Sequence, residues 1–456
     1  MTLNKNFNDF KNVYDDIHQK YWSDNLQEKD LEKWHDERLK IVLNHVKKTS
    51  PFYQKHLQNI DISSVNSKNL STLPFTTKED LRDNMQDIIC NNLSEAIFYY
   101  ETTGTTGPAT PCPRDKKESY ASNKQLAMAW KSVMEKHFPD KKPIVGIAGP
   151  TEVHSFGDTI GDVCYQLDIC NAKLWPHSPV IGFPKSLQLL KTLGINVVAS
   201  APGLLLALAK EAEKHGYNSR KDFDINIFMM SGELCTPALK NNLYSLWNAE
   251  AYNSLYGSQK ALIISATNSE DQLVPHRLNY IIEILDPKTG KNLDLTSQGE
   301  LCVTMLIDGV KPLIRYRTGD LVQINLSGKK EISQKYLMKI VGRVKDQLML
   351  NDKAFSAGYI EQCLMQDIEN CLGYQIIINN NGKKDTIIAQ LEMSKFFDKD
   401  KAKLCKMAKD RISSQLDIES TVMVVDDLDD HVNLGSWFSW KEARIIDQRT
   451  KAAPAL

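Results

Sequence analysis

Residues 97–110 read Ile-Phe-Tyr-Tyr-Glu-Thr-Thr-Gly-Thr-Thr-Gly-Pro-Ala-Thr, an apolar run followed by a loop in which Thr102, Thr103, Gly104, Thr105, Thr106 and Gly107 supply four hydroxyls and two glycines. Glycine lets the backbone turn its N–H groups toward one point, and the hydroxyls add further donors, so such a loop can surround phosphate oxygens. The lysine of the P-loop pattern is missing. Taken alone, the stretch leaves a phosphate cradle and a Thr/Gly-rich surface turn equally open.

On either side of this loop the chain changes pattern. The first 80 residues are charged, with Leu39, Ile41, Val42 and Val46 at helix-like spacing, and read as surface helices. After the loop, apolar runs at Ile144–Ala148, Ile195–Ala199 and Ile225–Met230 alternate with helical segments, the clearest being Gly203–His215, closed by Gly216. Strand–helix alternation predicts a mostly parallel α/β sheet. From Tyr280 the pattern becomes short β runs, at Tyr280–Leu285, Glu300–Met305 and Leu321–Asn325, with a turn at Asp286-Pro287-Lys288-Thr289-Gly290. Past Gly342 it resets again. Strands at Gln375–Ile378 and Thr386–Leu391 flank a hairpin signal at Asn381-Gly382, followed by a helix near Lys401–Gln415 and a strand at Thr421–Val425. The predicted fold is α/β: a large multi-subdomain N-terminal domain over 1–341, with mostly parallel sheets plus a β-rich subdomain, and a small α+β C-terminal lid over 342–456.

A chain of 456 residues implies about two to three compact units. Its 56 Lys and Arg nearly cancel its 57 Asp and Glu, which removes the broad positive field that binding a nucleic-acid backbone needs. No stretch approaches the ~18 apolar residues of a membrane helix, and the start is polar without a signal core, so the expectation is a cytoplasmic protein with no membrane partner. Nine scattered cysteines form no C-x-x-C pair and read as reduced, packed thiols.

The loop resembles the Ser/Thr-Gly-Thr-Thr-Gly signature of the adenylate-forming enzymes, the superfamily of acyl-CoA synthetases, nonribosomal peptide adenylation domains and luciferases. Its preamble, Leu73-Pro74-Phe75-Thr76-Thr77-Lys78-Glu79-Asp80-Leu81-Arg82-Asp83, is similar to the phenylacetate-CoA ligase branch. Five further stretches match in the family's order: Ser231-Gly232-Glu233, Tyr256-Gly257, Tyr316-Arg317-Thr318-Gly319-Asp320, Gly342-Arg343-Val344-Lys345-Asp346 and Lys441-Glu442-Ala443-Arg444. Each is short, but their common order from about residue 70 to 450 is hard to obtain by chance.

The resemblance implies activation of an aromatic or similar small carboxylic acid by ATP to an acyl adenylate, with release of pyrophosphate and transfer of the acyl group to a thiol. ATP, Mg2+ held mainly through the ATP phosphates, and coenzyme A are the implied cofactors and co-substrates. The acceptor stays open between coenzyme A, a carrier-protein phosphopantetheine and an amine. Asp320 presents a carboxylate suited to two ribose hydroxyls, a role the resemblance also gives it; Tyr256, beside Gly257 and Ser258, is a candidate to stack on adenine. Ser231, Gly232 and Glu233 fall after a β run, where α/β sheets bind ligands. The resemblance further implies that Arg343 reaches the ribose, that Lys345 is the hinge, and that Lys441 meets the carboxylate and α-phosphate. His154 and Phe156 fall where it places the acyl pocket.

Three departures stand out. Pro108, Ala109 and Thr110 replace the lysine usual after the second glycine, leaving Lys116 or Lys117 to supply charge. Tyr256-Gly257-Ser258-Gln259-Lys260 ends in a cation where the family has a glutamate associated with magnesium. Trp440 stands where a glycine usually precedes the lid lysine. The zinc cluster of some ligases of this branch is not expected, since 261–279 holds only His276 and no cysteine. A catalytically weakened nucleotide-binding homologue is the reading of another class, favoured by Lys260 and Trp440.

Overall fold

The computed structural model describes residues 2–102, 109–233, 235–345, 347–380, 382, 384–428 and 444–449. Two compact units emerge: one gathers the described residues of 1–136, 151–167 and 254–344, the other those of 137–150, 168–253 and 345–456.

The second unit is built on five parallel strands, β1 (Ile144–Ala148), β2 (Cys170–Lys173), β3 (Val197–Ser200), β4 (Ile227–Met230) and β5 (Glu250–Asn253), in the order β2-β1-β3-β4-β5. The apolar runs form because this sheet has helices to pack against; β3 and β4 are buried throughout. Strands expected from Ile195 and Ile225 begin two residues later. Ile195 N–H still serves the preceding helix end at Leu190 O, and Asn226 N–H goes to Asn196 O. The helix expected at Gly203–His215 runs Pro202–Lys214, with Gly216 at φ +81° just beyond it.

The first unit carries eight further strands, β6 (Leu255–Ser258), β7 (Leu262–Thr267), β8 (Leu273–Pro275), β9 (Tyr280–Leu285), β10 (Asn292–Leu293), β11 (Gln298–Met305), β12 (Tyr316–Leu326) and β13 (Tyr336–Arg343). They form one antiparallel sheet ordered β10-β9-β11-β12-β13-β8-β7-β6. The strand expected at Leu321–Asn325 is longer than its apolar core and takes in the whole Tyr316–Asp320 motif. The N-terminal segment is less superficial than its charge suggests. Helix Glu28–Thr49 buries Leu31, Leu39, Val42, Leu43 and Val46 completely, while Ile41 lies off that stripe and is exposed.

The second unit also holds the C-terminal segment: a hairpin of β14 (Gln347–Leu350) and β15 (Lys353–Ser356), then β16 (Cys371–Asn380), β17 (Asp385–Met393), β18 (Glu419–Val425) and β19 (Ile445–Asp447) in a mixed sheet ordered β18-β17-β16-β19. The helix expected near Lys401–Gln415 runs Lys401–Leu416, with Asp400 capping its first turn through N–H groups of Ala402 and Lys403. This segment shares a core with the parallel-sheet layer, where Leu205, Phe228 and Trp247 join Leu372, Tyr374 and Ile376. The Asn242 side chain pairs twice with the Cys371 backbone, at 2.8 Å each way.

Candidate active site

The Thr/Gly loop stands on a short antiparallel stem. Phe98 pairs with Arg114 and Glu101 with Pro111, while Cys112 N–H reaches Tyr100 O at 2.7 Å and Thr102 N–H reaches Thr110 O at 3.1 Å. The Thr102 hydroxyl accepts Thr110 N–H at 2.9 Å, closing the base of the loop. Thr103, Gly104, Thr105, Thr106 and Gly107 lie outside the described residues.

Below the stem, two buried networks fix the start of helix Lys116–His137. Asp115 Oδ1 accepts Glu118 N–H and Glu118 Oε2 accepts Asp115 N–H, a reciprocal cap. Glu118 Oε1 also accepts Lys311 N–H at 3.1 Å. A side chain at Gly309 would collide with the Glu118 carboxyl, so glycine is needed there. Burial pushes both carboxyls of this pair up, that of Asp115 to about 8.

Lys117 is committed elsewhere: its Nζ lies 2.6 Å from Asp308 Oδ2, and Arg38 takes the other carboxylate oxygen. Its charge is balanced inside the protein, which corrects the expectation that it serves the loop. Lys116 sits over the Phe7 ring. A cation from far along the chain, Lys311, does touch the stem: its Nζ donates to Pro111 O at 2.8 Å. Sequence reading missed it, because nothing in the local pattern links a residue two hundred positions downstream to the loop.

In the same unit Tyr256, Asp320 and Arg343 come together. Tyr256 is on β6, and its hydroxyl donates to Asp320 Oδ2 at 2.6 Å. Arg343, paired with Asp320 across β12 and β13, donates from Nε to Oδ1 at 3.1 Å. Gly319, at φ +78°, turns the strand just before the carboxylate, and Thr318 Oγ1 accepts Asp320 N–H. Arg317 anchors the turn from below by donating Nε–H to Glu300 Oε2 at 3.1 Å. Burial, then the neighbouring Asp320 charge, holds the Tyr256 phenol well above its usual pKa, so it is a donor throughout the working range. Asp320 remains 18% exposed and Arg343 62% exposed, leaving the carboxylate open on one side.

The turn after Tyr256 is tight. A side chain at Gly257 would overlap Leu262 O, where the β6–β7 register shifts. Ser258 Oγ caps Ala261 N–H, and Leu262 takes φ +54°. This turn presents Gln259 and Lys260. His154 Nδ1 accepts Phe156 N–H at 3.2 Å, capping helix Ser155–Gln166, and Phe156 is buried. His276 is enclosed, with Nδ1 3.2 Å from Ile263 O, and burial pushes its pKa down to about 3. Among the described residues, no group of three or more His, Cys, Asp or Glu side chains could hold a metal ion.

The remaining motif residues are in the other unit. Ser231 N–H bonds Ser200 O past the ends of β3 and β4, and Gly232 takes φ +92°. The Glu233 carboxylate lies 3.0 Å from Arg444, which also lies 3.3 Å from Glu361 and over the Tyr374 ring. Glu361, which no sequence motif marks, accepts the Tyr374 hydroxyl at 2.5 Å and the Thr236 hydroxyl at 2.9 Å. Lys345 is exposed and begins the last stretch of this unit. Lys441 and Trp440 lie outside the described residues.

Residues 357–449 match the family model of the AMP-binding enzyme C-terminal domain. The chain is 22% identical over 444 residues to a phenylacetate-coenzyme A ligase of Aromatoleum evansii, covering 91% of this chain and 94% of the relative. It is likewise 22% identical over 421 residues to a phenylacetate-coenzyme A ligase of Escherichia coli K12, covering 87% and 91%. The structure of a 2-hydroxyisobutyryl-CoA ligase in the postadenylation state superposes with a TM-score of 0.75 at 18% identity, over 91% of this chain and 89% of that one. The chain is thus similar along most of its length to phenylacetate-coenzyme A ligases, and its C-terminal segment matches the AMP-binding enzyme C-terminal domain family.

Proposed function

We propose that this protein activates a small carboxylic acid with ATP and passes the acyl group to coenzyme A. The observation that supports this best is the Tyr256–Asp320–Arg343 cluster, a partly open carboxylate held by one inward and one exposed donor. Each oxygen of Asp320 keeps a further lone pair, which suits the two adjacent hydroxyls of a ribose. Arg343 can leave Asp320 and follow the sugar. The Thr102–Gly107 loop, on its closed stem, takes the phosphates; Gly257 and Ser258 extend the nucleotide surface of the same unit, and Ser231, Gly232 and Glu233 are nucleotide-binding residues of the other.

In the first step a carboxylate oxygen of the acid attacks the α-phosphorus, and pyrophosphate leaves with the bonding electrons. We assign stabilisation of the charge that builds there to Lys441, Thr106 and Arg343. In the second step a thiolate attacks the acyl carbon and AMP departs. We take 1–341 as the ATP- and acid-binding domain and 342–456 as a lid turning at Lys345, with His154 and Phe156 near the acyl group. A carrier-protein thiol or an amine is the alternative acceptor. No helix of the described residues is long and apolar enough to cross a membrane, and we place the protein in the cytoplasm. The test is acid-dependent exchange between ATP and pyrophosphate over a panel of aromatic and short aliphatic acids, then thioester formation with coenzyme A. Exchange without thioester would redirect the second step to another acceptor; nucleotide binding without exchange for any acid would favour a non-catalytic homologue.

A further inference from the structure

The resemblance implies a protein carboxylate for magnesium at position 260, and the residues there do not fit one. Lys260 projects from the turn between β6 and β7 and is half-buried. Among the described residues no carboxylate lies within ion-pair distance of it. The charged side chains that act on it most strongly are themselves cations, and they come from three other places in this unit: Lys78 from helix Lys78–Asp83, Lys311 from the segment before β12, and Arg343 from the end of β13. The Cys112 thiol of the loop stem acts on it as well. A divalent cation placed among these groups meets repulsion, whereas a polyphosphate meets attraction. Beside Lys260, the buried Oε1 of Gln259 has no hydrogen-bond partner among the described residues; with the amide flipped, its NH2 would offer donors to an anion at that place.

We infer that Lys260 takes over part of the divalent cation's task, its ammonium neutralising the ATP phosphates directly, so that nucleotide binding depends little on free Mg2+. Mg2+ carried on the nucleotide's own phosphates remains compatible with this. The inference rests on the nucleotide reading above. Burial and the surrounding cations lower the Lys260 pKa to about 8. An approaching polyphosphate favours the charged form, so binding near pH 8 draws a proton onto the protein. ATP affinity therefore weakens as pH rises through that value.

The test is ATP binding by calorimetry, in EDTA and in excess Mg2+, for the wild type, Lys260→Gln and Lys260→Glu. In EDTA the wild type should bind within about tenfold of its affinity in Mg2+. Lys260→Gln should lose roughly ten- to hundredfold in EDTA, the size expected for a charged hydrogen bond, and less in Mg2+. Lys260→Glu should bind only with Mg2+. Repeating the wild-type and Lys260→Gln titrations at pH 8 in buffers of different ionisation enthalpy should show proton uptake in the wild type alone. If the wild type binds ATP only with Mg2+ and Lys260→Gln behaves identically, this proposal falls while the nucleotide reading stands. If no ATP binds under either condition, both fall.

Discussion

Removing the carboxylate of Asp320 should have two separable effects, because it serves the ligand on one side and Tyr256 on the other. Toward the ligand, losing a charge-assisted hydrogen bond costs about 1.5–3 kcal/mol, or roughly ten- to hundredfold in ATP affinity. Toward the protein, Asp320→Ala takes from the inward Tyr256 hydroxyl its 2.6 Å acceptor while a hydrogen bond with Thr318 remains, at about 0.5–1.5 kcal/mol of stability. Tyr256→Phe removes the donor but leaves the carboxylate, which stays partly open to solvent and to a ribose. That variant should bind ATP within about threefold of wild type, since a neutral donor on the far side of the acceptor matters less to the ligand than the carboxylate charge itself. The double variant should bind as poorly as Asp320→Ala yet melt higher, because no hydroxyl has lost its acceptor. Calorimetric ATP titration and unfolding followed by fluorescence give both quantities; midpoint shifts serve better than free energies in a chain of two units. Unchanged ATP affinity in Asp320→Ala, or an equal loss in Tyr256→Phe, would refute the reasoning.

Gly257→Ala should destabilise the first unit by about 1–3 kcal/mol and weaken ATP binding, because its methyl group overlaps Leu262 O at the base of the Lys260 turn; normal melting and affinity would show that the turn can relax. Arg444→Met removes the cation that faces both the Glu233 and Glu361 carboxylates, 8% and 9% exposed, and should cost about 3–5 kcal/mol, read as a lower unfolding midpoint. Adding Glu233→Gln and Glu361→Gln should restore much of it, and no recovery would mean the arginine acts by packing alone. Lys441→Ala should suppress adenylation yet transfer the acyl group from preformed adenylate, whereas Lys345→Pro should spare adenylation and slow transfer. Equal loss of both half-reactions in each variant would show that the lid does not alternate.

Much of the architecture is legible in the sequence because it is written in local pattern. The runs Ile144–Ala148 and Tyr280–Leu285 announce strands at the observed limits, since a strand's apolar content directly reflects the faces it buries. The Tyr316–Asp320 motif is legible as residues but not as strand. Its polar, only partly buried residues 317–320 hide the first half of a β12 that is held there by pairing with β11 and β13. The N-terminal helices read as surface because their charges outnumber a narrow apolar stripe that proves fully buried.

Partnerships across long separations are not legible at all. Tyr256 and Asp320, Lys311 and Pro111, Arg444 and Glu233 meet only once the sheets are ordered, and no spacing rule encodes strand order. Lys117 shows the converse, where proximity to the loop in sequence counts for less than the half-buried Asp308 that claims its charge.

The central claim, that this chain makes an acyl adenylate, is met most directly by ATP–pyrophosphate exchange measured across the acid panel. At least one small carboxylic acid should drive incorporation of labelled pyrophosphate into ATP in the wild type. That exchange should fall by roughly ten- to hundredfold in Asp320→Ala, in line with the lost charged hydrogen bond. Tight ATP binding with no exchange for any acid, or exchange that is indifferent to Asp320, would contradict it.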